Sequence, residues 1–295
     1  MSTQTTQPAE TTDATGAAQH PHTNTAPEAL QRRAKAQRTR DRIQTTGLFV
    51  IFFLGFIGIW HLATVGLDDG GLAPTPGATW DRLLEMLGTA FLLDGPNNVG
   101  IFYHLLASIQ RVLLGFGLAA LIAVPLGLLL GTSRVIHDGM DPFIQILRPV
   151  SPLAWLPLGL ALLRDSQMTA IFVIFMAALW PILVSTIDGV RRVNPLFLDL
   201  AKSLETDTRT RVFKVLLPAT LPAIVTGLRT ALSTAWLVIV AAEMIVGGRG
   251  MGHFVWNEWN ALNTPSIVVA IVIIGGVGFL LDRSIAQLQR LVPKS

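Results

Sequence analysis

The sequence predicts an all-α, polytopic membrane protein with six transmembrane helices, and three observations carry that reading. Hydrophobic residues make up 51% of the 295 positions and charged residues only 14%, where a soluble domain carries about 25% charged residues. The apolar residues come in blocks, several of them near the roughly 20 residues that a helix rising 1.5 Å per residue needs to cross a bilayer core. There is no cysteine, which excludes a disulfide framework, a thiol nucleophile and a thiolate metal site.

Residues 1–46 are predicted as a disordered, basic cytoplasmic tail and 47–295 as the transmembrane domain. The first 28 residues hold no Lys or Arg and few apolar side chains, too little burial to offset the entropy of ordering. Arg32, Arg33, Lys35, Arg38, Arg40 and Arg42 follow as a positive anchor ahead of the first span, a pattern that marks the cytoplasmic side. The six spans are expected at about 47–65, 104–131, 142–163, 168–186, 218–245 and 265–282. Between the first two, Leu83, Leu84, Leu87 and Phe91 sit at helical spacing and predict a short outer helix over 80–91, with Trp80 as an interfacial ring. The third span contains Pro149, Pro152 and Pro157, each of which removes a helical hydrogen bond, and such backbone is tolerated only against protein or a water-filled cavity.

The charges orient the chain. Of 22 Lys and Arg residues, 16 fall on the side of the N-terminus. That bias makes both termini and the 187–217 loop cytoplasmic. The same orientation accounts for the basic surplus, so no nucleic-acid partner is expected. No internal repeat points to an inverted-repeat carrier, and no paired catalytic motif of the H-E-x-x-H type points to an intramembrane enzyme.

The 187–217 loop carries the strongest motif. Leu196, Leu200 and Leu204 form one apolar stripe, and Thr206 or Asp207 can cap a second short helix that Pro218 ends. Residues 199–205 read Asp-Leu-Ala-Lys-Ser-Leu-Glu, and nine residues later 215–218 read Val-Leu-Leu-Pro. This register resembles the cytoplasmic docking loop of ABC-type importer permeases. Asp199, Ala201, Val215, Leu217 and Pro218 fill its positions, Leu204 completes the stripe, and Glu205 stands where the family has glycine. The resemblance extends to 148–157, 164–167, 235–244, 256–263 and 278–283, which are similar to the nitrate, sulfonate and taurine branch and most of all to its nitrate and bicarbonate members.

That resemblance implies a type I ABC importer permease fold in the cell membrane and an importer of a small anion, nitrate or nitrite first. Bicarbonate, cyanate, taurine or sulfonates are the alternatives, and a stand-alone carrier or channel is the rival from another class. The chain lacks a G-x-x-x-x-G-K-[ST] phosphate loop, and the glycine-rich run at 247–252 reads as a turn. No cofactor is therefore expected in this chain. ATP and Mg would belong to separate ATPase subunits docked at the loop, with a second permease copy, an extracytoplasmic solute-binding protein and membrane lipid as further partners.

Arg148, Ser151, Trp155, Arg229 and Glu243 are the candidate pathway residues. Arg229 lies about ten residues into the fifth span, read as near the midplane, where an unpaired charge costs on the order of 3 kcal/mol. It reads either as a positive field for a passing anion or as a buried arginine satisfied by carbonyls or a carboxylate. Glu243 lies about 21 Å further along the same helix, so it is not the partner of Arg229 there and is placed near the outer mouth. Arg111 is read as snorkelling from the outer end of the second span to the interface.

Overall fold

The structure is a computed structural model that describes residues 25–66, 73–93, 99–194, 203 and 207–291. It divides into two compact units, Met1–Ile59 and Trp60–Ser295. The first unit is described by helix α1 (Thr25–Val65), which continues into the second. Residues 25–46, expected as disordered, are thus helical. Between Glu28 and Thr46 there is no Gly or Pro, and Ala, Gln, Leu, Arg and Lys, which cost a helix little, dominate. Residues 1–24 of the expected tail lie outside the described residues. In the second unit Trp60 Nε1 donates to the Pro74 carbonyl at 3.1 Å, and the short outer helix appears as α2 (Pro76–Gly88), capped by the Thr75 hydroxyl.

The remaining elements are α3 (Ile101–Thr132), α4 (Arg134–Leu147), a 3-10 turn (Pro152–Trp155), α5 (Leu156–Leu163), α6 (Ser166–Arg191) and α7 (Thr208–Arg211). A π-helical turn (Val212–Leu216) then leads into α8 (Leu217–Val246), followed by α9 (Met251–Asn260) and α10 (Thr264–Leu291). Five of the described helices are long and apolar enough to cross a membrane. The expected third span is instead a helix pair, α4 and the 3-10/α5 segment, bent by 89° at the break. The prolines cause the break: Pro149 and Pro152 remove two donors within four residues, and only Val150, between them, still donates back, to Leu147. Counted as one crossing, the pair completes six.

The centre of the second unit is the packing of α3 on α6 and of α6 on α8. Residues Gly115, Ala119, Ala123, Gly127 and Gly131 recur every four positions on α3, and such a stripe lets helix backbones approach closely, where dispersion contacts substitute for the missing hydrophobic drive in lipid. The fit is tight. A Cβ on Gly115 would lie 2.7 Å from the Ile174 side chain, one on Gly127 2.6 Å from Thr186 Cβ, and one on Gly131 2.5 Å from Val190 Cβ. On the other face of α6, Gly189 meets Ala223 and Gly227 meets Ser185. α10 closes on α8 through Trp236, whose Nε1 donates to the Ile274 carbonyl at 3.0 Å while its ring covers Gly278.

Gly127→Val is expected to force α3 and α6 apart and to cost about 3 kcal/mol, the upper range for overpacking. Gly117, two positions past Gly115 and on the opposite face, meets nothing within 4 Å, so Gly117→Ala should change stability by no more than about 1 kcal/mol. Thermal unfolding midpoints of the two purified variants in one detergent check the contrast.

Candidate functional site

The candidate side chains lie toward both ends of the helices. At the predicted inner end, the docking residues Asp199, Ala201, Leu204 and Glu205 lie outside the described residues, whereas Val215, Leu217 and Pro218 are described. Pro218 does not end a separate helix. It sits in the first turn of α8, and the preceding turn widens so that Leu217 N–H donates to the Val212 carbonyl, the i→i+5 pattern of a π turn. The base of α8 packs on α6 where Thr220 and Ala223 face Gly189; Leu216 is buried, and Thr220, also buried, donates its hydroxyl to the Leu216 carbonyl at 2.6 Å. Phe213 remains 66% exposed.

The bend between α4 and α5 carries the first pathway candidates. Arg148 and Ser151 are exposed and Trp155 is half-buried. Arg148 lines a cavity of about 450 Å³ with His137, Asp141, Gln145 and Asp188, yet it makes no ion pair among the described residues. Nearby, His137 Nδ1 lies 3.3 Å from Asp138, and its Nε2 4.0 Å from Asp141.

Arg229 has a carboxylate partner that lies 53 positions away in sequence. Its Nε and Nη2 donate to Asp282 Oδ1 and Oδ2 on α10, both at 2.7 Å, the planar two-point geometry that guanidinium and carboxylate share. Arg229 lies about 26 Å below the Gly247 end of α8, and Asp282 about 27 Å below the start of α10, at 1.5 Å per residue. Arg229 thus lies near the middle of the 30-residue α8. Gln289 Nε2, donating to Thr226 Oγ1 at 3.2 Å, ties the same two helices one step further in.

Glu243 is 1% exposed at the predicted outer end, and its carboxylate is held from three sides. Arg111 Nη1 donates to Oε1 at 2.7 Å, the Ser108 hydroxyl lies 2.8 and 2.9 Å from the two oxygens, and Gly252 N–H donates to Oε2 at 3.0 Å. Arg111 is only 7% exposed. It does not snorkel, because a buried carboxylate on α8 meets it before any interface does. The same nitrogen donates to the Arg249 carbonyl, and Met251 N–H donates to Ser108 Oγ at 2.9 Å. Glu243 therefore sits at the N-terminus of α9, where free N–H groups favour an anion.

The glycine-rich run is the turn over this knot. Gly247 and Gly248 take φ of 78° and 90°, a region that costs glycine little. A Cβ on Gly250 would fall 2.2 Å from the Glu243 carboxyl carbon, and one on Gly252 2.0 Å from the Val240 carbonyl. His104 Nδ1, 3.1 Å from the Gly250 carbonyl, adds a further tie to α3. Outside the knot lies a cavity of about 670 Å³ of mixed charge, lined in part by Arg82, Glu85, His104, Arg249, His253 and Glu258. Sequence reasoning singled out Arg229 and Glu243 as pathway candidates but named Arg111 only as an interfacial side chain. Asp282 was visible only as part of a family-like segment, and Ser108 carried no signal.

Comparison with known proteins places this geometry. Residues 123–293 match the family described as the binding-protein-dependent transport system inner membrane component. The chain is 38% identical over 234 residues to the nitrate import permease protein NrtB of Synechocystis sp., covering 79% of this chain and 84% of that protein. It is 40% identical over 244 residues to the bicarbonate transport system permease protein CmpB of the same organism, covering 81% and 86%. A structure of the MetNI methionine ABC transporter in inward-facing conformations superposes with a TM-score of 0.59 at 15% identity, over 72% of this chain and 99% of that one. The shared element is the fold.

Two outcomes follow for the charge pairs. Glu243→Gln leaves the Arg111 charge buried without a counter-ion and should cost about 3–5 kcal/mol, while Arg111→Met combined with Glu243→Leu should recover much of that loss; unfolding midpoints measure both. Reversing Arg229 alone to Glu should lower transport by the assembled importer, and adding Asp282→Arg should restore it. Uptake rates of the single and double variants decide whether the pair acts as a unit.

Proposed function

The chain belongs to the inner membrane components of binding-protein-dependent transport systems, and we propose that its importer carries a small planar oxyanion, nitrate first. It is a transport subunit of the ABC permease type, not an enzyme, and a multi-pass membrane protein. Such a subunit works with ATPase and solute-binding partners. The observation that carries the substrate reading is the likeness, over about four fifths of the chain, to both a nitrate and a bicarbonate permease. Those two solutes share one chemistry: a singly charged, trigonal, flat ion.

In this reading ATP and Mg are held by separate ATPase subunits, which dock at the 187–217 loop. A second permease copy completes the pathway, since one set of helices encloses little, and lipid covers the exposed apolar side chains. Both termini face the cytoplasm of a cell or inner membrane, in keeping with the basic residues clustered there. Closure of the ATPase pair pushes the base of α8 at Pro218. Because α8 is tied to α10 by Arg229–Asp282 and to α3 by Arg111–Glu243, the push reaches the outer turn through paired helices and opens one end as the other shuts. Arg148, exposed and without an ion-pair partner among the described residues, offers a positive field at the inner end.

Reconstitution tests this. Vesicles holding the permease, its ATPases and its binding protein should take up 15N-labelled nitrate only with ATP inside the ATPase compartment, with bicarbonate competing. Uptake by the permease alone along an ion gradient would contradict the proposal, and ATP-driven uptake of bicarbonate without nitrate would move the substrate.

A further inference from the structure

α8 carries an exposed polar arc at a depth where a lipid-facing helix is apolar. Its 30 residues extend about 45 Å at 1.5 Å per residue. A hydrocarbon core about 30 Å thick takes about 20 of them, and every such window contains residues 227–236. Arg229, Thr230, Ser233 and Thr234 therefore lie at membrane depth wherever the helix is set along its axis. Thr226, Thr230 and Ser233 are exposed, and their spacing of four and three puts them on one face. The Arg229–Asp282 pair borders that face, with the two side chains 41% and 35% exposed.

The neighbouring helices differ at comparable depth. From Leu113 to Leu129 the exposed positions of α3 are apolar, glycine or proline, and from Ile271 to Leu280 those of α10 are apolar or glycine. Those faces suit lipid. An ion pair more than one-third open at mid-helix does not, because charged groups in a membrane face a bundle interior or a water-filled cavity. The hydroxyls beside it are free to serve such a cavity. Thr226, Thr230 and Ser233 donate to the carbonyls of Pro222, Thr226 and Arg229 at 2.9, 3.2 and 3.2 Å, each four residues back in the same helix. Among the described residues only Gln289 ties one of them, Thr226, to another helix. Each hydroxyl can turn its proton from its own helix to water or to a passing oxyanion. One turn beyond Ser233 the same face becomes apolar, with Leu237 74% exposed and Met244 half-buried further on.

We infer that Thr226, Thr230 and Ser233, bordered by the Arg229–Asp282 pair, form a wall of the aqueous pathway along which a hydrated oxyanion passes, and that Leu237 marks the apolar segment where it closes. The inference rests on the proposed function and gives its pathway a face. Asp282 matches the Arg229 charge, so the wall offers hydroxyl donors without net charge. It solvates an anion without trapping it, as conduction requires, and an apolar constriction next to a wetted segment stops ions by dewetting.

The chain has no cysteine, so single-cysteine variants of the assembled importer, in inside-out membrane vesicles, report on this chain without background. Thr226→Cys, Thr230→Cys and Ser233→Cys should react with a charged methanethiosulfonate at least about tenfold faster than Leu118→Cys on the apolar face of α3, because only a wetted thiol ionises and reacts. Thr230→Val and Ser233→Ala remove the hydroxyls alone, and each should lower uptake of 15N-labelled nitrate severalfold while the ATPases still co-purify. Cysteines no faster than Leu118→Cys, in an importer that carries nitrate, would show the face covered by lipid or by the second copy. That result would overturn the wall and leave the function standing, and so would full nitrate uptake by both hydroxyl-free variants. Fast cysteines in an importer that carries some other solute would overturn the proposed function and leave the aqueous wall standing.

Discussion

An ion pair buried between apolar helices is the constraint on which the outer half of this molecule depends. Arg111 and Glu243 are both almost fully enclosed, and each would be prohibitive alone: removing one partner of such a pair costs about 3–5 kcal/mol. Together they commit their neighbours. Ser108 must supply a hydroxyl, the 247–252 turn must lie over the carboxylate, and α9 must begin where its first N–H groups reach it. Glycine at 250 and 252 follows from the same demand, because any side chain there meets the carboxylate or the Val240 carbonyl. One interaction between α3 and α8 thus dictates the local sequence of a loop and the start of a third helix.

The inner half is organised by different means. Here the helices approach through small residues, with α3 and α6 touching along the Gly115-to-Gly131 stripe and α6 and α8 meeting at Gly189 and Gly227. The Arg229–Asp282 pair joins α8 to α10 in a more open setting. α8 is therefore held at two points along its length by two charge pairs to two different helices, and at its base lies the π turn before Pro218. A helix anchored in this way fits the proposal that it carries displacement from docked ATPases to the far turn.

Much of this was legible in the sequence. Apolar block lengths marked the five long apolar helices, because a bilayer imposes one length on every crossing helix, while the third block is a bent pair of shorter ones. The three prolines of the third span announced irregular backbone, but not that it would turn by 89°, since proline removes a bond without specifying the new direction. Arg111 was misread because its partner lies 132 positions away, and nothing local distinguishes an arginine that reaches outward from one that reaches across. Arg229 was flagged for its depth, and the reading with a carboxylate partner was open, yet Asp282 sits 53 positions on. Single-sequence patterns report the faces and ends of helices; pairing between distant helices is a property of their packing.

The central claim is that Glu243 is a structural counter-ion for Arg111 and not a free carboxylate facing a channel. The most direct measurement is an experimental map of the assembled importer in a lipid nanodisc, at a resolution that shows both side chains. Continuous density from the Arg111 guanidinium to the Glu243 carboxylate, with the 247–252 turn closed over them, is the predicted result. A Glu243 side chain turned into open solvent, with Arg111 reaching the headgroups instead, would contradict it.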